Sequence, residues 1–188
     1  MNARLRRMAH TVAAAALLSC AVAAAASGGA EAETITGEVV VLITDHRLAI
    51  DDFSSLVVYV EGARLHRRGR LPDDGWITLA TQPHEVDLTR YRDGATYELL
   101  RGEAPAARYD AAELLVQSMA RGVVLAGDAV EVPLEISPAR VDIEVLPDRV
   151  LQLTFDLVVH DLRDHPGKTW GILLDEVRAA NVDAGRLH

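Results

Sequence analysis

Apolar and polar residues alternate with a period of two through much of the second half of the chain, a pattern that predicts strands. Val130, Val132, Leu134 and Ile136 fall on one face, with Glu131, Pro133 and Glu135 on the other. Proline has no N–H to give to a ladder, so this segment is expected at a sheet edge. Val141, Ile143 and Val145 alternate with Asp142 and Glu144, and Pro147-Asp148 then turns the chain into its most regular segment. There Leu151, Leu153, Phe155, Leu157 and Val159 point one way, while Gln152, Thr154, Asp156 and His160 point the other. This predicts a central strand over 149–161.

The first half is less regular. Val39 to Ile43 is apolar on both faces, as in a buried central strand. Residues 56–65 and 76–79 read as further strands, and 86–88 as a short one before an Asp93-Gly94 turn. The stretch 66–75 is basic and then acidic, holds Pro72 and two glycines, and reads as an exposed loop. Two segments, 111–120 and 171–180, are rich in helix formers, and propensity alone makes both helices.

The N-terminus changes the picture from fold to location. Arg4, Arg6 and Arg7 precede an uncharged, mostly apolar run that ends in small residues at Ala26, which is the layout of a secretory signal. The run is too short and too rich in alanine for a membrane span. Residues 1–26 are therefore expected to be a signal peptide, 27–34 a flexible tether, and 35–183 a single β-sandwich domain. Leu17-Leu18-Ser19-Cys20 matches a lipobox, with Cys20 lipidated, whereas Ala24-Ala25-Ala26 or Ala30-Glu31-Ala32 would suit ordinary secretion. The expectation is a membrane-anchored lipoprotein facing the periplasm or cell surface, the alternative a soluble periplasmic or secreted protein. Cys20 is the single cysteine, so the mature domain has neither disulfide nor thiolate and must be held by its core.

The formal net charge is −9, and loss of the three leader arginines takes the mature chain to −12. Such a surface repels phosphate backbones, which argues against nucleic acid as a partner.

No Gly-rich phosphate loop, H-E-x-x-H or G-x-S-x-G occurs, and none of Ser54, Ser55, Ser118 or Ser137 sits in a nucleophile elbow. Neither a catalytic residue nor a cofactor is expected. The one suggestive cluster is His160-Asp161-Leu162-Arg163-Asp164-His165. Its imidazoles and carboxylates are suitable ligands for Zn²⁺, and Asp156 shares the strand face of His160. The spacing matches no metal signature, and Pro166-Gly167 marks a turn where polar residues collect anyway, so no metal is expected. Asp45-His46 and Asp51-Asp52 form a second polar group, able to hold Ca²⁺ only if backbone oxygens complete the shell. Arg64 to Arg70 is the one basic patch; it reads as a solvated loop that could meet anionic headgroups or glycans. Trp76 and Trp170 each open a strand-like run and read as core residues rather than sugar-stacking rings.

The order of several short motifs resembles a bacterial envelope family, domain-of-unknown-function family 4382. These are Leu42-Ile43-Thr44-Asp45, Trp76 before Val86-Asp87-Leu88 and Asp93-Gly94, Arg108-Tyr109 ahead of Glu113-Leu114, and Leu153-Thr154-Phe155-Asp156-Leu157. Ala106-Ala107 stand where the family usually has a glycine before the Arg-Tyr pair, and Thr154 where it often has Asp. The resemblance implies an all-β fold, a transthyretin-like or immunoglobulin-like sandwich often carried on lipoproteins. It also implies that 111–120 and 171–180 are strands, and it implies no reaction. The expectation is a non-enzymatic binding or structural module acting on an unknown envelope ligand or protein. The alternatives are a carbohydrate-binding module and, behind it, a metal-dependent enzyme.

Overall fold

The computed structural model describes residues 34–46, 49–164, 166 and 169–183. The leader, Cys20, most of the tether and His165 lie outside the described residues. No helix among the described residues is long and apolar enough to cross a membrane.

Among the described residues ten strands carry the fold: β1 Thr36–His46, β2 Phe53–Arg67, β3 Trp76–Asp87, β4 Tyr97–Pro105, β5 Arg108–Val116, β6 Met119–Val124, β7 Ala129–Glu135, β8 Ala139–Glu144, β9 Arg149–Asp161 and β10 Trp170–Asp183. Two 3-10 turns, Ala49–Asp52 and Leu88–Arg90, follow β1 and β3. The chain is all-β.

Hydrogen bonding runs in the order β4-β1-β9-β10-β7-β6-β2-β5-β8, with β3 added to β2. One layer is β4-β1-β9-β10. The other is built on β2, which carries β3 along one edge and β6, then β5 and β8, along the other. The layers join at a corner where β7 meets β10 over only two residue pairs, Leu134 with Ile172 and Glu135 with Leu173. Pro133 sits next to that corner, opposite Met119 of β6, so the strand expected at an edge is an edge along most of its length.

The core lies between the layers and follows the alternation. Leu151, Leu153, Phe155, Leu157 and Val159 of β9 are all buried, against Leu56, Val58, Val60 and Leu65 of β2 and Leu114 of β5. β9 is central, parallel to β1 on one side and antiparallel to β10 on the other. Tyr109 is fully buried at the start of β5, and its hydroxyl donates to the Pro105 carbonyl at 2.8 Å, tying down the connection from β4 to β5 between the layers. Asp93 and Gly94 both have positive φ (62° and 83°), and Ala95 N–H returns to the Arg92 carbonyl at 3.0 Å. This is a primed turn, which the Asp-Gly pair suits because neither residue is strongly penalised there.

The segments 111–120 and 171–180 are strand, as the family resemblance implies and against their helix propensity, because β5, β6 and β10 complete ladders that bury Ala112, Leu114, Ala120 and Ile172. Tertiary pairing overrides local propensity here. Two other expectations need correction. Residues 76–79 and 86–87 belong to one strand, β3, whose pairing with β2 jumps at an irregularity between Val60 and Gly62, while Leu88 opens the 3-10 turn that follows. The loop expected over 66–75 begins two residues later, since His66 and Arg67 end β2 and His66 is only 7% exposed.

Candidate functional site

The outer face of the second layer carries a groove that begins with one cross-strand row. Trp76 of β3 faces His66 of β2, His66 faces Ala111 of β5, and Ala111 faces Arg140 of β8. Directly opposed side chains on one sheet face stand side by side. A small Ala111 between the larger His66 and Arg140 leaves a trough in the row. The groove encloses about 800 Å³, and Pro72 and Pro138 help to wall it.

His66 fixes the geometry at one end. Its Nδ1 lies 2.7 Å from an Asp110 carboxylate oxygen, and its Nε2 lies 2.9 Å from the Leu71 carbonyl and 3.0 Å from that of Asp74. All three partners only accept hydrogen bonds. A neutral imidazole donates from one nitrogen, so this arrangement is satisfied in full only by the imidazolium. The Asp110 hydrogen bond, followed by that to Leu71, accordingly raises the His66 pKa above its ordinary value of 6.5, against the opposing effect of burial. Asp110 reaches His66 because β5 is irregular there: pairing shifts between Tyr109 and Ala111, leaving Asp110 as the extra residue of a bulge. Bulges commonly re-aim a side chain in this way.

The loop over 68–75 is held from beneath. Besides the two carbonyls on His66, the Trp76 indole Nε1 donates to the Pro72 carbonyl at 2.9 Å, and Asp74 N–H to that of Leu71 at 2.9 Å. Gly75 has φ +94°, and a Cβ there would lie 2.5 Å from the Cβ of Arg70. The stem of Arg70 therefore packs over a position that only glycine leaves open. Next along the sheet, Arg64 pairs with Glu113 and stacks over Trp76 at 4.4 Å from the ring centroid. The basic patch is thus not a uniformly solvated loop: Arg64 is a wall, His66 a support, and Arg68 an outward ion pair with Asp142 at 2.9 Å.

The other candidate residues gather at one end of the molecule. Asp52 Oδ2 accepts from Arg163 Nη2 and from the Trp170 indole, each at 3.1 Å, so the loop after β1 and the β9–β10 connection meet through one carboxylate. Arg163 also grips Asp161, whose pKa is lowered to about 2 by that guanidinium, and lies over Trp170 at 5.4 Å. Asp51 pairs with Arg92 at 2.5 Å. Asp156 is buried and accepts from Arg178 at 3.0 Å, while His160 lines a cleft of about 380 Å³ where β7 and β10 part. Asp164 is exposed. His160, Asp161 and Asp156 are thus turned to different partners, and no group of three His, Cys, Asp or Glu among the described residues could hold a metal ion. Trp76 and Trp170 are half-buried rather than core, and their ring contacts are edge-on, Trp76 with His66 and Trp170 with Phe53.

Two features were missed in the sequence. His66 looked like one more polar residue in a basic run, although its position one residue after the inward Leu65 on β2 placed it on the outer face beside Arg64. Asp45 stands in sequence with the polar group His46, Asp51 and Asp52, yet it is 2% exposed, and burial together with Asp156 pushes its pKa up to about 8.

A family model described as "Domain of unknown function (DUF4382)" matches residues 36–169. No curated protein and no solved structure matches the chain.

Proposed function

The chain belongs to domain-of-unknown-function family 4382, and from that premise we propose that it is a non-enzymatic binding module of the bacterial cell envelope, with its ligand seated in the groove over Ala111. The observation that carries this reading is the row Trp76–His66–Ala111–Arg140, in which a small residue is kept between large ones on a solvent-facing sheet surface. An outward alanine between larger neighbours leaves room there for a ligand. His66 supports the non-enzymatic part, because both its nitrogens are already committed to Asp110 and to the loop. A general base needs a free nitrogen within reach of a substrate proton. The sugar-binding alternative draws no support from the rings, whose edge-on contacts do not build a coplanar stacking platform.

Location rests on the leader. Lipidation of Cys20 by two or more chains would anchor the domain stably, and residues 21–34 would give a tether of roughly 20 Å root-mean-square reach. The groove would then meet ligands close to the bilayer. Fractionation should place the wild-type protein in membranes and Cys20→Ser in the soluble fraction or as uncleaved precursor.

The binding reading is tested by thermal-shift screening of the purified domain against charged and neutral small molecules and glycans, with Ala111→Trp as the matched variant. Ala111 points outward, so the larger ring fills the trough without entering the core. Hits that vanish in Ala111→Trp support the groove; hits that survive it unchanged place the ligand elsewhere and overturn the reading.

A further inference from the structure

The charges around the groove are not all compensated, and this decides what kind of ligand it suits. Arg64 is paired with Glu113 and His66 with Asp110. Arg70 and Arg140 line the same groove and have no ion-pair partner among the described residues. Asp73, in the loop, is the remaining acid in the lining. In a chain whose formal charge is −9, two arginines without an acidic partner among the described residues leave the groove they line locally positive.

Their placement is set by the fold. Arg140 is the register neighbour of Ala111 on β8, on one flank of the trough. Arg70 is on the other flank, its stem laid across Gly75 next to Trp76. Three strand spacings separate Trp76 from Arg140, roughly 14 Å between backbones. Arginines on opposite flanks of a trough that wide can each take a separate oxyanionic group of one ligand lying across it. Guanidinium forks match carboxylate and phosphate oxygens in bidentate geometry.

Resting on the groove reading above, we propose that the ligand carries at least two oxyanionic groups, carboxylate or phosphate, one held by Arg70 and the other by Arg140, across the floor formed by Ala111. Arg64, already neutralised, contributes its stacked plane with Trp76 as an apolar wall. His66 and Asp110 act as positioning residues: they hold the loop that carries Arg70 and do not contact the ligand.

Isothermal titration of the purified mature domain with citrate and with inorganic pyrophosphate tests this, with acetate and glucose as the singly charged and neutral comparisons. Citrate, pyrophosphate or both should bind, acetate more weakly, and glucose not at all. Arg70→Gln and Arg140→Gln should each weaken binding by roughly tenfold or more, the loss expected for one charged hydrogen-bonding partner. Arg68→Gln, whose partner Asp142 lies on β8, should leave affinity unchanged. Gly75→Ala should weaken binding by displacing the Arg70 stem while Arg140→Gln still adds its own loss; circular dichroism checks that each variant is folded. Whether citrate or pyrophosphate binds more tightly tells carboxylate from phosphate ligands.

Absence of binding by both polyanions, or binding indifferent to both arginine variants, overturns the proposal. A neutral ligand that binds in a manner sensitive to Ala111→Trp but not to the arginine variants removes the ligand class and leaves the groove standing. Polyanion binding that Ala111→Trp does not touch removes both.

Discussion

Asp45 and Asp156 are diagonal neighbours on the parallel strands β1 and β9, Asp45 in register with Leu157 and Asp156 with Thr44, and neither oxygen of the Asp45 carboxyl has a hydrogen-bond partner among the described residues. The backbone around Asp45 is well tied: its own N–H donates to the Tyr91 carbonyl at 3.0 Å, and Thr44 Oγ1 donates to that of Ala95 at 2.7 Å. The side chain is held where water does not reach, so desolvation first and the neighbouring Asp156 charge second raise its pKa to about 8, with Arg92 opposing and Asp51 adding. A buried carboxyl near a second buried carboxylate favours staying protonated.

The consequence for stability has a definite sign. Between about pH 4 and pH 8 the folded protein keeps the Asp45 proton while the unfolded chain has released it, so unfolding releases a proton and stability falls as pH rises. Above about 8 both states are ionised and the decline stops. Asp45→Asn removes this contribution. Denaturant unfolding across the range should show wild type losing stability relative to Asp45→Asn as pH rises, by an amount on the order of a few kcal/mol. Parallel curves for the two proteins would mean that Asp45 is ionised in the fold after all.

Asp87 is the opposite case, a carboxylate with its valences filled. Oδ1 accepts from Leu56 N–H at 3.0 Å, Thr89 N–H at 3.2 Å and Thr89 Oγ1 at 2.8 Å, and Oδ2 accepts from Ser55 Oγ at 3.0 Å. It caps the 3-10 turn Leu88–Arg90 and ties it to β2. Burial alone would raise its pKa, but these hydrogen bonds outweigh it and hold the group below 3.8. Its contribution is therefore present above that value and lost as pH falls through the folded pKa. Asp87→Ala strands several donors, and a loss of about 2–4 kcal/mol is expected at neutral pH. Asp87→Asn keeps one acceptor and should recover part of it. A loss below about 0.5 kcal/mol in Asp87→Ala, the range of ordinary surface changes, would show the cap to be dispensable.

The contrast between these two aspartates shows how far the sequence reaches. β9 was legible because five inward apolar residues at period two are a local signal, and β9 is where expectation and structure agree best. β5 was not, because Leu115 on its outer side breaks the alternation of the inward Ala112, Leu114 and Val116, leaving only helix-favouring composition. Asp45 and Asp87 are both single acids after apolar strands, and nothing local says that one is left bare and the other saturated. That difference comes from Asp156, 111 positions away, and from Leu56 and Ser55, paired across a sheet. The groove was hidden for the same reason: its floor residue is an alanine, and its supports, His66 and Asp110, lie 44 positions apart in sequence. Of the two polar clusters singled out by composition, the fold joins them through Asp52, Arg163 and Trp170, in a structural tie.

His66 gives the last test, because its two-sided bonding demands a charge that pH can remove. The Asp110 hydrogen bond, then the Leu71 carbonyl, raise its pKa above 6.5, while burial works against them and the Asp74 carbonyl adds to them. The folded state thus keeps the proton at pH values where the unfolded chain has lost it. This stabilisation is fully present below about 6.5 and is lost as pH rises through the folded pKa. Deprotonation leaves one ring nitrogen facing acceptors without a proton, so either the Asp110 contact or the two loop carbonyls lose their donor. The loop over 68–75 should loosen first, since the rest of β2 is paired on both edges. Hydrogen exchange at the Asp74 amide, which donates to the Leu71 carbonyl, should accelerate with alkaline pH by more than the intrinsic base-catalysed rise. Core amides of β9 should follow the intrinsic rate alone. His66→Gln supplies donors on one side only and should show fast exchange at Asp74 at every pH, with little further change on raising it. Equal protection of the Asp74 amide in wild type and His66→Gln would show that the imidazolium does not hold the loop.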